Sequence, residues 1–158
     1  MDYMIREMRK EEYDLLEDFL YEAIFIPEGI SVPSKSIIMQ PGLQVYITDF
    51  GKRKDDIAFV AEIGGKVTGA VWARIMDDYG HIDDSTPSLA ISLYKEYRGR
   101  GMGTAMLQEM LSTLRQRGYE RTSLAVQKAN YAVKMYRKAG FEVVDENEEE
   151  YIMAFRLQ

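Results

Sequence analysis

The stretch KEYRGRGMGTAML, Lys95 to Leu107, gathers two arginines and three glycines into six residues, Arg98-Gly99-Arg100-Gly101-Met102-Gly103, and then enters an apolar repeat. Met102, Met106, Met110 and Leu114 recur at helical spacing, with Leu107 and Leu111 beside them. This predicts a helix from Gly101 to Arg117. Gly118 closes it, after Arg115 and Arg117 at the negative end of the dipole. Ahead of the turn, SLAISLY (Ser88–Tyr94) reads as a strand. The first N–H groups of a helix have no partner within it and carry the positive end of the dipole. Glycines let backbone approach a ligand and turn several N–H groups inward. A strand, a Gly-Arg turn and a helix start in that order make a phosphate site.

Composition narrows what such a site can serve. The chain has 158 residues and fits one domain, residues 1–158. It has no cysteine, which excludes disulfides, thiolate metal sites and a cysteine nucleophile. Its one histidine excludes a histidine-rich metal centre, and no metal is expected. The formal net charge of -6 argues against a nucleic-acid partner, whose affinity comes from Lys and Arg on phosphates. No apolar run approaches the ~18 residues of a membrane helix, so no membrane partner is expected. The start, MDYMIREMRKEEYD, has acids and no apolar core of signal-peptide length. A cytoplasmic location is the expectation.

Working outward, YMIREM (Tyr3–Met8) alternates like a strand, and Tyr13, Leu16, Leu20 and Ile24 mark a helix. The zone from Ile26 to Gly51 holds three prolines and two apolar groups, KSIIM and LQVYITDF, and reads as one or two short helices in an insert. Ile57–Ile63, Gly64-Gly65 and Lys66–Met76 form a hairpin pattern. RTSLAVQ is a strand, Asn130 to Ala139 a short helix closed by Gly140, and FEVVDENEEEYIMAFRL a last hairpin whose acidic run, Asp145 to Glu150, reads as a solvated tip. The order β-α-(α)-β-β-β-α-β-α-β-β predicts a mixed α/β domain with a strand–helix–strand unit at its centre.

The turn is not a P-loop, because Thr104 and Ala105 follow Gly103 where Lys and Ser/Thr belong. Nor is it a dinucleotide fingerprint: the third small residue falls on Thr104 in one register and Met106 in the other. What fits is Arg-x-x-Gly-x-Gly. LAISLYKEYRGRGMGTAML resembles the pyrophosphate-binding motif of the GNAT superfamily of N-acetyltransferases, and LAVQKANYAVKMYRKAGFEVV is similar to that family's second motif, with Asn130-x-Ala132-x-x-x-Tyr136 and then Gly140-Phe141. Lys95 stands where many members have proline.

The resemblance implies the GNAT fold, a twisted and mostly antiparallel sheet of about six to seven strands flanked by helices, with a β-α-β core that binds acetyl-coenzyme A. It implies acetyl transfer from that co-substrate to a primary amine of a small molecule or peptide, by direct attack in a ternary complex. The backbone of Arg98, Gly99, Arg100, Gly101, Met102, Gly103 and Thr104 would hold the pyrophosphate, and the pantetheine arm would lie beside Ile91, Ser92 and Leu93. Tyr136 matches the tyrosine that donates to the departing sulfur, a phenol of pKa ~10 serving a thiolate of ~8.5. Without the resemblance Tyr136 is a core aromatic, sharing a helical face with Val133 and Ala139. Asn130 would contact the pantetheine or cap its helix. The general base stays open among Glu28, His81, Asp83, Asp84 and water, and self-association into a homodimer stays open too. Glu28, Asp77, Asp78, Asp83 and Asp84 could draw a cationic acceptor, and Phe25, Tyr46, Trp72 and Tyr79 could wall in its apolar part. A protein of this fold that holds coenzyme A as a sensor, without turnover, is the alternative.

Overall fold

Alternating apolar residues and tight turns build the sheet. In the computed structural model, which describes residues 2–158, the strands are β1 (Met4–Glu7), β2 (Ile57–Ile63), β3 (Lys66–Arg74), β4 (Ser88–Leu93), β5 (Arg121–Gln127), β6 (Glu142–Glu146) and β7 (Glu150–Arg156). The helices are α1 (Leu16–Ala23), α2 (Pro41–Gln44), α3 (Met102–Gln116) and α4 (Ala132–Ala139). The seven strands form one sheet in the order β1-β2-β3-β4-β5-β7-β6. Every neighbouring pair is antiparallel except β4 with β5. Gly64 and Gly65 both take left-handed backbone, φ 55° and 85°, as a two-residue hairpin turn requires.

Both faces of the sheet are covered. On one, Met106, Leu107, Met110 and Leu114 of α3 pack with Val71, Leu89, Leu124, Val126 and Met153. On the other, Leu16, Phe19 and Leu20 of α1 and Ile38 and Phe50 of the insert pack with Val60, Ala70 and Trp72. Side chains at odd positions of β4 (Leu89, Ile91, Leu93) face α3. Ala90, Ser92 and Tyr94 face α1.

The insert is held by backbone recognition. Arg74 is fully buried; its Nε and Nη2 donate to Asp56 at 3.0 Å each, and Nη1 donates to the carbonyls of Val45 (3.1 Å) and Thr48 (2.9 Å). Trp72 Nε1 donates to the Tyr46 carbonyl at 3.1 Å. The first helix is shorter than the spacing predicts: Lys10–Leu15 is a 3-10 turn and α-helix begins at Leu16. Glu12 closes a capping box at the start of that turn, accepting from the Arg9 N–H at 2.8 Å while Arg6 grips it at 2.7 and 2.8 Å. The last hairpin also differs in detail. Glu150 stands on β7 opposite Gln127, half-buried, and not at a solvated tip.

Candidate active site

The Gly-Arg turn folds as a cradle. Gly99 and Gly101 take left-handed backbone, φ 78° and 86°, which excludes most side chains. Gly101 is the N-cap of α3 and offers no capping oxygen. The first helical bond runs from the Ala105 N–H to the Gly101 carbonyl at 3.1 Å. The N–H groups of Met102, Gly103 and Thr104 therefore stand ahead of it, at the positive end of a 15-residue helix. A Cβ on Gly99 or Gly101 would meet nothing within 4 Å, so the turn opens outward. Gly103 faces inward instead, with a Cβ there 3.6 Å from Met135 and 3.7 Å from Leu93.

The arginines are part of the scaffold. Arg98 donates from Nε to the Leu93 carbonyl (3.0 Å) and from Nη2 to the Glu22 carbonyl and carboxylate (3.2 Å each). Its amide donates to Lys95 at 3.3 Å. Arg98 thus ties the turn to the end of α1. Arg100 lies over the Tyr97 ring, 5.8 Å from its centroid.

Beside this turn the sheet forks. β4 and β5 meet in register only at Ser88 and Ser123, where the Ser123 N–H donates to the Pro87 carbonyl at 3.0 Å. Beyond them the facing edges part, while β4 stays paired to β3 and β5 to β7. The Tyr94 N–H goes to Thr68 on β3, so by strand alternation the peptide groups of Leu89, Ile91 and Leu93 point toward the gap. Arg98 occupies the Leu93 carbonyl, and the Ile91 peptide faces the opening. Ser92 Oγ is buried and donates to the Phe19 carbonyl at 2.7 Å. Ala90, Ile91 and Ala125 keep partial exposure in the middle of central strands, so the gap there is open to solvent.

Tyr136 enters from the α3 face of the sheet. Its ring is 7% exposed and packs edge-on against Phe141 at 5.7 Å. Burial pushes the phenol above its ordinary pKa. Among the described residues its hydroxyl has no hydrogen-bond partner. Asn130 starts α4: its Oδ1 accepts from the Ala132 N–H at 2.9 Å and its carbonyl from Val133 at 3.1 Å. That leaves its NH₂ for a ligand.

The open question of the base narrows. Glu28 is exposed in the loop after α1. Asp83 accepts from Arg121 (2.8 Å), Thr86 (2.7 Å) and both N–H and hydroxyl of Ser85 (2.9 Å each). These bonds, Arg121 foremost, hold its carboxyl well below the usual range, so it is a turn residue and a poor base. His81 Nδ1 lies 2.8 Å from the Met76 carbonyl, which can only accept, so Nδ1 carries a proton. Its Nε2 is 3.5 Å from Asp84, whose side chain is 98% exposed.

One of the carboxylates that the sequence offers for drawing a cationic acceptor, and not as a base, is set apart from the others. Asp78 Oδ1 accepts from Ser88 Oγ at 2.8 Å, at the apex of the fork. Its Oδ2 is buried and meets no donor at hydrogen-bonding geometry. Burial raises its pKa, against the bond from Ser88. Tyr46 stands against it, and burial and Asp78 push that phenol far above its usual range. The Asp-Asp-Tyr-Gly run carries no periodicity that separates Asp78 from Asp77; only the fold does.

A family model, "Acetyltransferase (GNAT) family", matches residues 9–141. Over 115 residues the chain is 30% identical to an N-alpha-acetyltransferase of Sulfurisphaera tokodaii, covering 63% of this chain and 68% of that one. Over 86 residues it is 36% identical to a probable N-acetyltransferase, camello, of Xenopus tropicalis, covering 52% of this chain and 37% of that one. Its fold matches the PaiA N-acetyltransferase of Thermoplasma acidophilum, solved in complex with coenzyme A, with a TM-score of 0.73 at 20% identity over 99% of both chains. Among the described residues no His/Cys/Asp/Glu group could hold a metal ion, and no helix is long and apolar enough to cross a membrane.

Proposed function

The chain belongs to the acetyltransferase (GNAT) family, and from that premise we propose that it moves an acetyl group from acetyl-coenzyme A to a primary amine of a small molecule or peptide, by direct attack in a ternary complex. The observation that carries this is the fork: two central strands that part after one bridge, with a helix start at the mouth and a phenol on one wall. The residues present fit the donor. The N–H groups of Met102, Gly103 and Thr104, behind the left-handed Gly99 and Gly101, suit a pyrophosphate. The Ile91 peptide can bond an extended arm as a further strand would. Asn130 offers its NH₂ beside it.

The donor supplies an activated acyl carbon and a thiolate leaving group. Tyr136 holds a proton for that sulfur. Its raised pKa keeps the phenol neutral throughout the physiological range, which is the form that donates. Glu22 and Leu93 hold Arg98, so the turn keeps its shape before a ligand arrives. The acceptor would come from the α1 and insert face, where Asp78 and Glu150 make the wall anionic and suit an ammonium. Incubation with acetyl-coenzyme A and a panel of primary amines, read by free thiol and product mass against a no-acceptor control, tests this. Donor binding without acetylation of any amine would favour the sensor alternative.

A further inference from the structure

The apex of the fork is built around one carboxylate. Ser88 and Ser123 form the only β4–β5 bridge, and their hydroxyls lie 3.5 Å apart. Ser88 Oγ donates to Asp78 Oδ1 at 2.8 Å, and Ser123 Oγ donates to the Gly80 carbonyl at 2.7 Å. Gly80 lies flat on β5: a Cβ there would come 2.9 Å from the Leu124 carbonyl carbon and 3.0 Å from the Ala125 nitrogen. The loop carrying Asp78 is thus clamped to both strands where they separate. On that face the next residues along each strand are Ala90 and Ala125, small and partly exposed, so little side-chain bulk stands between the carboxylate and the open part of the fork. Tyr136 stands on the opposite face. One Asp78 oxygen is pinned by Ser88; the other is buried, with the Tyr46 hydroxyl and the Gly80 N–H near it but outside good hydrogen-bonding geometry. A buried carboxylate so incompletely satisfied is destabilising.

We propose that Asp78 receives the acceptor's ammonium at the apex of the fork and takes its proton, so that the acceptor is a primary alkylamine that arrives charged. The inference rests on the acetyltransferase reading above. An alkylammonium has a pKa near ~10 and needs a base before it can attack. Asp78 takes one proton and frees the nitrogen lone pair. That pair forms the N–C bond as the C–S bond breaks, and the sulfur leaves with its electron pair and takes the Tyr136 proton. The nitrogen's second proton restores Tyr136 through solvent, and Asp78 releases its own to solvent. The groups facing Asp78 are Tyr46 from the insert and Ser88 from β4, with Tyr79 and Glu150 beyond Tyr46. Of these, Glu150 is the second negative charge. Burial brings both carboxyls up toward the pH at which a base works best.

The test compares wild type with Asp78→Asn, using acetyl-coenzyme A with spermidine, hexylamine and the peptide Ala-Ala-Ala across pH. The variant should lose about 10²-fold in kcat/KM for the alkylamines near neutral pH. The deficit should shrink roughly tenfold per pH unit as the amine's own pKa is approached. Its Tm should equal or exceed that of wild type, and the Tm rise caused by acetyl-coenzyme A should be unchanged. Ser88→Ala, which unpins the carboxylate, should show a smaller loss with the same convergence at high pH, and it carries the test if Asp78→Asn fails to fold. Wild type active with Asp78→Asn equally active, a deficit independent of pH, a lowered Tm with the fold retained, or a wild type that acetylates only the peptide would each overturn the inference while leaving acetyl transfer intact. A wild type that acetylates none of the amines would instead sink the acetyltransferase reading itself, and this inference with it.

Discussion

Replacing Tyr136 by Phe removes one oxygen and keeps the ring against Phe141. Its effects on stability and on turnover should separate. The hydroxyl has no protein partner among the described residues, and its ring is buried. The hydroxyl oxygen is not among the atoms sealed from solvent, so water can satisfy it and its removal costs folding little. The Phe variant should therefore match wild type in stability, each kcal/mol being worth roughly 2–4 °C in Tm for a chain of this size. Turnover should fall. A positioned acid contributes about 10²–10⁴-fold. We expect the lower end, about 2.7 kcal/mol of barrier, because the raised pKa weakens the phenol as an acid while keeping it protonated. The same shift means the basic limb of kcat should not descend below about pH 10. The assay is steady-state thiol release at saturating amine, with single-turnover kinetics to show that chemistry limits the rate, beside melts with and without acetyl-coenzyme A. Unchanged kcat with chemistry limiting would refute the acid role. Loss of the donor-induced Tm rise would make Tyr136 a positioning residue.

Arg74→Met strands Asp56, whose side chain is fully buried, and should cost about 3–5 kcal/mol; Asp56→Asn in the same chain should recover part of this, and additive losses in urea melts would show that the pair is not coupled. Glu12→Gln tests a linkage with a definite sign. Arg6 holds the Glu12 carboxyl down to about 2, so its contribution is present above the unfolded value of ~4.3 and disappears as pH falls toward 2. Wild type should exceed the variant by on the order of 2 kcal/mol at neutral pH, with the difference vanishing in acid, and a constant difference would contradict the assignment. Gly101→Ala forces a side chain into left-handed backbone at about 1–2 kcal/mol with no clash in the protein. It should fold yet show a diminished Tm response to acetyl-coenzyme A, and a full response would remove the turn from the donor site.

Local chemistry made much of this molecule legible in advance. The paired glycines at 64 and 65 mark a hairpin, and the glycine turn marks the start of α3, because both depend on neighbours in sequence. The fork does not, since one bridge between Ser88 and Ser123 brings together residues from distant segments. Arg98 reads as part of the pyrophosphate turn because arginine beside glycines usually suits a phosphate; that its side chain also bonds Glu22, far along the chain, is visible only in the fold. Asp78 and Asp77 are alike in sequence and are distinguished only by which one meets Ser88. Glu150 belongs by composition to an acidic tip, but β7 pairing places it beside Gln127. Trp72 reads in sequence as an aromatic wall for the acceptor; that it and Arg74 hold a segment lying across β3 is visible only in the fold.

Part of what lies there is gripped by its peptide groups. Arg74 and Trp72 hold the carbonyls of Val45, Thr48 and Tyr46, and every residue type presents the same carbonyl. Substitutions at Val45 and Thr48 can change the side chains there while the carbonyls that dock this segment stay the same. The wall that would meet the acceptor can thus diversify while the donor machinery, on the far face of the sheet, is left untouched. A scaffold of this kind can acquire new acceptors by drift in one segment, and a deep mutational scan should find positions 45 and 48 permissive for folding even where Arg74 is not.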